Sequence, residues 1–265
     1  MFEYSFMQNA LIAGLIISIL CPAVGAFLVL KRYSMMGDTL SHASFAGVAI
    51  GLVFGYNPII TAFIFTSLCA LLIEFLRDYF KKYAELILVI IMTLSIGIAI
   101  TLISSGKTNA NINSFLFGSI LTVTKNDLVT VLVLGVISLI VLALLYNKLI
   151  YVTFDEDGAK VSGIKIKLIN YIFALLVGTT VSVSIRIMGI LVVSSMIAMP
   201  VAAALQLHKG FNTTFIFSIV FGFIAIMTGL FSSYYINSAP GGTIALASVA
   251  VLLLVILIKK IRKAY

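Results

Sequence analysis

The run LVTVLVLGVISLIVLALLY, residues 128–146, contains no charged side chain. As an α-helix it would be about 28 Å long, which is close to the thickness of about 30 Å of a bilayer's hydrocarbon core. The rest of the chain has the same character, because 62% of its 265 residues are hydrophobic and 10% are charged, against about 25% charged in soluble domains. These values exclude a soluble globular domain and predict a protein whose solvent is lipid.

Apolar runs of this kind recur along the chain, and turn residues divide the two longest uncharged stretches at Gly55–Pro58 and Asn237–Gly242. We therefore predict an all-α membrane bundle of about nine transmembrane helices, or eight if one is re-entrant, in a single domain over residues 1–265. The predicted spans are Met7–Leu30, Met36–Phe54, Ile59–Leu76, Leu86–Ser104, Leu128–Tyr146, Leu168–Ile185, Ile187–Leu207, Thr213–Ile236 and Thr243–Ile258.

The basic residues lie in short clusters between the apolar runs. With the N-terminus outside and the C-terminus in the cytoplasm, all but three of the 17 Lys and Arg residues, namely Lys107, Lys125 and Arg186, fall in interior loops. This asymmetry is typical of membrane proteins, whose cytoplasmic loops carry the excess of positive charge. The net charge of +8 therefore indicates orientation in the bilayer, and nucleic acid is excluded as a partner.

Two segments between spans are long enough to form structure of their own. The outer segment Ser105–Asn126 becomes apolar at Phe115–Leu121, which predicts a short amphipathic element at the outer interface. The inner segment, residues 147–167, contains the sequence FDEDGAKVSG over 154–163. Acidic residues favour the N-terminus of a helix, so this segment predicts a short cytoplasmic helix that can dock a soluble partner.

Asp38 and His42 are separated by one helical turn inside the second predicted span. This spacing places a carboxylate and an imidazole on one helix face, and the distance from Lys31 at the inner interface puts His42 near the bilayer midplane. Ionisable groups at this depth are costly and usually functional. Oxygen and imidazole nitrogen suit zinc, and also manganese or iron, so the pair predicts a divalent-metal site. The alternative is an Asp–His hydrogen bond that ties helices together.

Two ligands from one chain are too few for a tight metal site. A second subunit, backbone carbonyls, water or Ser41 would complete the shell, and an incomplete shell fits a transport site that must release its ion. In the seventh span, Ser195, Met196 and Met199 are further candidates for the pathway. Methionine in a bundle is more often packing material, which is the alternative for both sulfur side chains.

Spans one to four and six to nine have opposite orientations, and the second member of each set is rich in small residues. This pattern predicts an inverted repeat around a pathway at the midplane. The sequence contains neither His-Glu-x-x-His nor Gly-x-Ser-x-Gly, and no complete phosphate-binding loop. We therefore predict a transport subunit without its own nucleotide site, not an enzyme.

The segment LKRYSMMGDTLSH, residues 30–42, resembles the signature of the zinc/manganese-type ABC transporter permease family. Further segments that resemble the family follow in its order across nearly the whole chain. They are Phe115–Ile120, Phe154–Gly163, Gly189–Pro200, Ser233–Tyr235 and Pro240–Gly241.

The resemblance implies a homodimeric permease in a bacterial plasma membrane, driven by two cytoplasmic ABC ATPase subunits and supplied by an extracytoplasmic metal-binding protein. It assigns Asp38 and His42 to the intramembrane metal site, with the metal as cargo, no resident cofactor, and ATP used only by the partner subunit. It also implies a coupling helix that enters a groove of the ATPase. The residues expected at that contact are Phe154, Asp155, Glu156, Asp157, Gly158 and Gly163.

Small differences from the manganese-type members of the family indicate which metal is transported. Thr39 stands where manganese-type members commonly have Ala, and Ser44–Gly47 lacks their Leu-Pro-Gly, so the segment is more similar to zinc permeases of Gram-positive bacteria. We therefore expect zinc, with manganese or iron as alternatives, moved by alternating access. A channel or a proton-coupled carrier is the alternative that would need no ATPase.

Overall fold

The computed structural model describes residues 5–80, 83–105, 112–119 and 124–264, apart from the side chains at 78 and 262–264. Within these ranges the chain forms eleven helices and no strand. The helices are α1 (Ser5–Leu30), α2 (Ser34–Phe54), α3 (Pro58–Tyr79), α4 (Ala84–Ser104), α5 (Asn113–Leu116), α6 (Lys125–Phe154), α7 (Glu156–Val161), α8 (Ile166–Met188), α9 (Ile190–Leu205), α10 (Phe211–Ile236) and α11 (Pro240–Ala264).

The all-helical membrane bundle predicted from the sequence is confirmed, and each predicted span corresponds to one long helix. Among the described residues, seven helices are long and apolar enough to cross a membrane. The remaining two are α2, which carries polar side chains such as Asp38 and His42, and α9, whose 16 residues extend about 24 Å. The number of crossings and the orientation of the termini therefore stay predictions.

Two helix boundaries differ from the sequence-based expectation. The break between the sixth and seventh spans lies at Gly189 and not at Arg186, because Gly189 has φ 76° and ψ 160°, a conformation that is essentially restricted to glycine. The inner segment 147–167 is also less irregular than expected, because Asn147–Phe154 continue α6. The irregular backbone is thereby confined to the two ends of α7.

The long helices pack in two groups that α8 and α9 join. α1 packs mainly against α6, α9 and α10, whereas α2 packs mainly against α3 and α4 and has little contact with α1. α8 contacts α1, α2, α3 and α6. The short turn between α1 and α2 is therefore one covalent joint between the two groups.

A Schellman motif forms this turn. The Tyr33 N–H donates to Leu28 O at 2.8 Å and the Arg32 N–H donates to Val29 O at 3.1 Å, which satisfies carbonyls that the end of α1 would otherwise leave unpaired. Arg32 occupies the left-handed position with φ 59°, where glycine is more usual. The chain consequently reverses within three residues and enters α2 at Ser34.

At the opposite end of the bundle, three backbone segments cross in close contact. The turn after α5 passes over the α8–α9 break, so that a Cβ on Gly189 would lie 2.4 Å from Gly118 N and from Leu116 O. The first turn of α11 closes the crossing, since the Gly241 N–H donates to Phe117 O at 3.1 Å. The outer amphipathic element predicted at Phe115–Leu121 is thus a four-residue helix and a turn; its residues 120–121 lie outside the described part of the chain.

Gly189→Ala should destabilise the fold by about 3 kcal/mol or more, because it adds both an unfavourable backbone conformation and a collision with backbone atoms. The measurement is the thermal unfolding of the purified protein in detergent. Gly97→Ala is the matched control, because Gly97 lies within α4 and its Cβ would meet nothing within 4 Å. Equal melting temperatures for the two variants would contradict the close crossing.

Candidate functional site

Asp38 and His42 lie one turn apart near the start of α2, and both side chains are half-buried. They belong to a stripe on α2 with Met35, which is 51% exposed, and with the half-buried Phe45. We call these four residues the open stripe of α2. The predicted co-location of the carboxylate and the imidazole follows from the helical conformation of this segment.

The other faces of α2 are covered by its own chain. Gly37 faces α9, where its Cβ would lie 3.3 Å from Ile197 Cδ1, and the Thr39 hydroxyl donates to Leu88 O on α4 at 3.4 Å. The buried Ser41 hydroxyl donates to Gly37 O at 2.8 Å, which leaves its oxygen lone pairs available to accept. The open stripe is therefore the part of this segment that the described chain covers least, although Phe45 at one end of the stripe also packs against apolar side chains.

The chain supplies only part of a metal shell at this place. Among the described residues, no group of three or more His, Cys, Asp and Glu side chains is close enough to hold a metal ion. Asp38 offers carboxylate oxygen and His42 offers imidazole nitrogen, which are ligand types for zinc and manganese. Further ligands would have to come from hydroxyl or carbonyl groups, water or another chain.

The pathway candidates of α9 have different environments. Met196 is fully buried within the main apolar cluster, which fits a packing role, whereas Ser195 and Met199 are half-buried. α9 packs directly against α2, at the contact of Ile197 with Gly37. A role of Ser195, Met196 or Met199 in the pathway stays a prediction.

The short helix predicted in the inner segment is present as α7, and Asp155 begins it. The Asp155 carboxylate accepts from the Gly158 N–H at 2.8 Å, so it satisfies one of the free donors of the first turn. α7 ends in a second Schellman motif, in which Gly163 has φ 76° and the Ile164 N–H donates to Ala159 O at 3.0 Å. Asp155 and Gly163 therefore cap the two ends of α7, and their predicted contact with an ATPase stays a prediction.

α7 presents apolar side chains outward. Ala159 is fully buried against the bundle, while Val161 is 89% exposed and Phe154, at the end of α6, is 60% exposed. Glu156 and Asp157 are exposed in the first turn. The segment thus combines a fixed backbone with an exposed surface that is apolar at Phe154 and Val161 and acidic between them.

Lys31, at the joint between the two packing groups, is held by α8. Its ammonium donates to Asn170 Oδ1 at 2.9 Å and lies 5.1 Å from the centre of the Phe173 ring, an arrangement that stabilises a cation. Burial lowers the pKa of Lys31 to about 8, against the opposing effect of the Glu74 carboxylate. Lys31 is therefore partly removed from water, unlike the exposed Arg32 beside it.

Tyr33, on the same turn, is held by α3. The Arg77 guanidinium lies 4.0 Å from the centre of the Tyr33 ring and forms two hydrogen bonds with the Glu74 carboxylate, at 3.0 and 3.2 Å. Glu74 is only 3% exposed. Composition and hydropathy do not predict this pair; the available signal is the i, i+3 spacing of two opposite charges in an otherwise apolar run.

A second ion pair fixes the end of the bundle that is predicted to lie outside. Arg186 Nε lies 3.2 Å from Asp127 Oδ2, and its guanidinium lies 4.7 Å from the centre of the Phe115 ring. Asp127 also belongs to a capping box with Thr124 at the start of α6, which anchors that end of the helix. Arg186, expected from charge distribution alone as an outer loop residue, is instead a link between α5, α6 and α8.

Comparisons with known proteins identify the family. The sequence pattern of the ABC 3 transport family matches residues 3–259. The chain is 48% identical to the "Probable metal transport system membrane protein" of Treponema pallidum, covering 100% of this chain and 99% of that protein. It is 30% identical to the manganese import system permease protein ScaB of Streptococcus gordonii, over 95% and 90% of the two chains. A solved structure of PsaBC from Streptococcus pneumoniae in complex with Fab superposes with a TM-score of 0.84 at 28% identity, over 96% and 91% of the chains.

Asp155→Ala should loosen α7, because removal of an N-cap costs about 1 kcal/mol. Hydrogen exchange of the Gly158 and Ala159 amides in the native protein should then accelerate about 5-fold. Asp157→Ala is the matched control: it removes the same charge but preserves the cap, so the acceleration should stay below about 2-fold. Similar acceleration in both variants would show that charge, and not the cap, stabilises α7.

Proposed function

The chain belongs to the ABC 3 transport family and is a multi-pass membrane permease for metal transport, and we propose that it imports a divalent metal past Asp38 and His42. The observation that carries this proposal is the open stripe of α2, where an ionisable pair lies on a half-exposed helix face. A carboxylate and an imidazole facing lipid would be costly. The pair therefore requires a polar environment, which a metal path provides.

We propose that a second copy of the chain covers the open stripe. Two copies related by a two-fold axis present the same surface to each other, so a stripe centred on the axis would bring together two carboxylates and two imidazoles. Four such donors match the four ligands of a typical zinc site and leave room for water in the larger shell of manganese. The incomplete donor set of one chain is thereby explained.

Transport through such a site needs an energy source outside this chain. We propose that cytoplasmic ABC ATPase subunits bind α7, where exposed Phe154 and Val161 flank the acidic first turn. An extracytoplasmic metal-binding protein would deliver the ion from the other side. Rearrangement of the two packing groups would then turn the site from one face of the membrane to the other.

Two observations bear on which metal the permease transports. Thr39 and the Ser44–Gly47 segment favour zinc by resemblance, whereas a relative that is 30% identical is named a manganese import permease. The match to the manganese permease extends over 95% of this chain, whereas the argument for zinc rests on a few residues of α2. We therefore propose manganese first and zinc as the alternative. The donor types at Asp38 and His42 accommodate both ions.

His42→Ala should reduce uptake of radiolabelled manganese or zinc by about 100-fold or more, because loss of a direct ligand exceeds the effect of about 10- to 100-fold seen for supporting residues. The measurement uses cells that lack other importers and express the permease with its ATPase and binding protein. His208→Ala is the matched control, since His208 is exposed beyond the end of α9 and should support wild-type uptake.

Three results would contradict parts of this proposal. Undiminished uptake by a correctly assembled His42→Ala variant would make Asp38 and His42 a structural pair. Uptake that persists with a hydrolysis-deficient ATPase would favour a channel or a proton-coupled carrier. No uptake of either metal by the complete wild-type system would reject import of both.

Competition between the two ions should identify the cargo. If manganese is transported, an equal concentration of unlabelled manganese should halve the uptake of labelled manganese at saturating concentrations, and zinc should be imported at a lower rate. Zinc import that manganese barely inhibits would support the assignment made from Thr39. The Asp38→Asn variant, which preserves size but removes the charge, should lose import of either ion.

A further inference from the structure

The turn between α1 and α2 connects the two packing groups, and two of its side chains are held by different helices. Lys31 reaches α8 through Asn170, and Tyr33 is held against α3 by Arg77. Asp38 follows Tyr33 by little more than one helical turn, or about 7 Å along the axis of α2. A displacement of this turn would therefore reach the metal site directly.

α7 is joined to the Lys31 contact by a short and well-bonded segment. The Schellman motif at Gly163 ends α7, the Ile166 N–H donates to Ile164 O at 2.9 Å, and α8 begins at Ile166. Asn170 lies in the second turn of α8. Because this connection is short and hydrogen-bonded, a shift of α7 would displace the first turns of α8 as well.

Orientation in the bilayer does not explain the position of Lys31. A basic residue that only sets topology can remain solvated, as the exposed Arg32 does. Lys31 instead packs its half-buried ammonium between an amide oxygen and an aromatic ring of α8. Withdrawal of a charge from water is costly, and burial correspondingly lowers the pKa of Lys31 to about 8.

We propose that Lys31 and Asn170 are positioning residues that transmit a displacement of α7, through the first turns of α8, to the α1–α2 turn and so to Asp38. This inference rests on the proposed function, because it requires α7 to be the helix that the ATPase moves. Neither residue contacts the metal. Their role is to make the metal site and α7 move together.

The test measures metal uptake and ATP hydrolysis together in proteoliposomes that contain the permease, its ATPase and its binding protein. Lys31→Met should lower the number of ions imported per ATP by about 5-fold or more, the usual range of coupling between distant sites. Metal binding at equilibrium should be unchanged. Asn170→Leu should lower the ratio of ions to ATP to a similar extent. The double variant should have a ratio no lower than that of the stronger single variant, because both changes remove the same Lys31–Asn170 hydrogen bond.

Two further variants separate coupling from general damage. Lys31→Arg keeps a cationic donor and should retain more than about half of the wild-type ratio of ions to ATP. Lys148→Met removes a lysine from an exposed position of α6 and should retain the full ratio. If Lys31→Met fails to assemble, Asn170→Leu and Lys31→Arg still test the contact.

The outcomes distinguish this inference from the function on which it rests. A wild-type complex that imports no metal with ATP would reject the proposed function. A coupled wild-type complex together with a normal ratio in Lys31→Met and Asn170→Leu would overturn the inference alone. Additive losses in the double variant would also overturn it, since the two residues would then act separately.

Discussion

Lipid offers no hydrogen-bond partner to a charge, and this constraint determines how ionisable side chains are placed in the bundle. Glu74 is buried with Arg77, and Asp127 is paired with Arg186 at the outer end. Asp38 and His42 differ from these pairs, because they share a half-exposed face of α2. The two ion pairs therefore stabilise the fold, whereas Asp38 and His42 need a polar partner from outside the described chain.

The two ends of the bundle differ in how closely backbone segments approach each other. At the end predicted to lie outside, the Asp127–Arg186 ion pair is accompanied by a crossing where backbone atoms meet at Gly118, Gly189 and Gly241 at distances that leave no room for a Cβ. At the inner end, the α1–α2 turn is held by side chains, through Lys31 and Tyr33. Side-chain contacts can exchange partners without refolding a helix, so the inner end is better suited to rearrangement than the outer end.

Much of the fold could be predicted because apolar runs of membrane length have few alternatives to a helix in lipid. The turns at Gly55–Pro58 and Asn237–Gly242 were also predictable, since Gly55 and Asn237 favour the left-handed end of a helix and Pro58 and Pro240 favour the start of the next one. The shared face of Asp38 and His42 followed from spacing alone. The contact of Lys31 with Asn170 could not be predicted, because it joins residues that are distant in sequence and depends on how α1 and α8 pack. The exposure of the open stripe likewise depends on which neighbours cover α2.

α6 is longer than the hydrocarbon core of a bilayer is thick. Its 30 residues extend about 45 Å, and its outer end is fixed by the capping box and by the Asp127–Arg186 ion pair. A change in the tilt of α6 about Asp127 would therefore move α7, which follows the other end of the helix. A tilt of about 5° would displace that end by about 4 Å, given the rise per residue of an α-helix, so a modest change of packing angle inside the membrane corresponds to a larger displacement at the surface that we propose binds a partner.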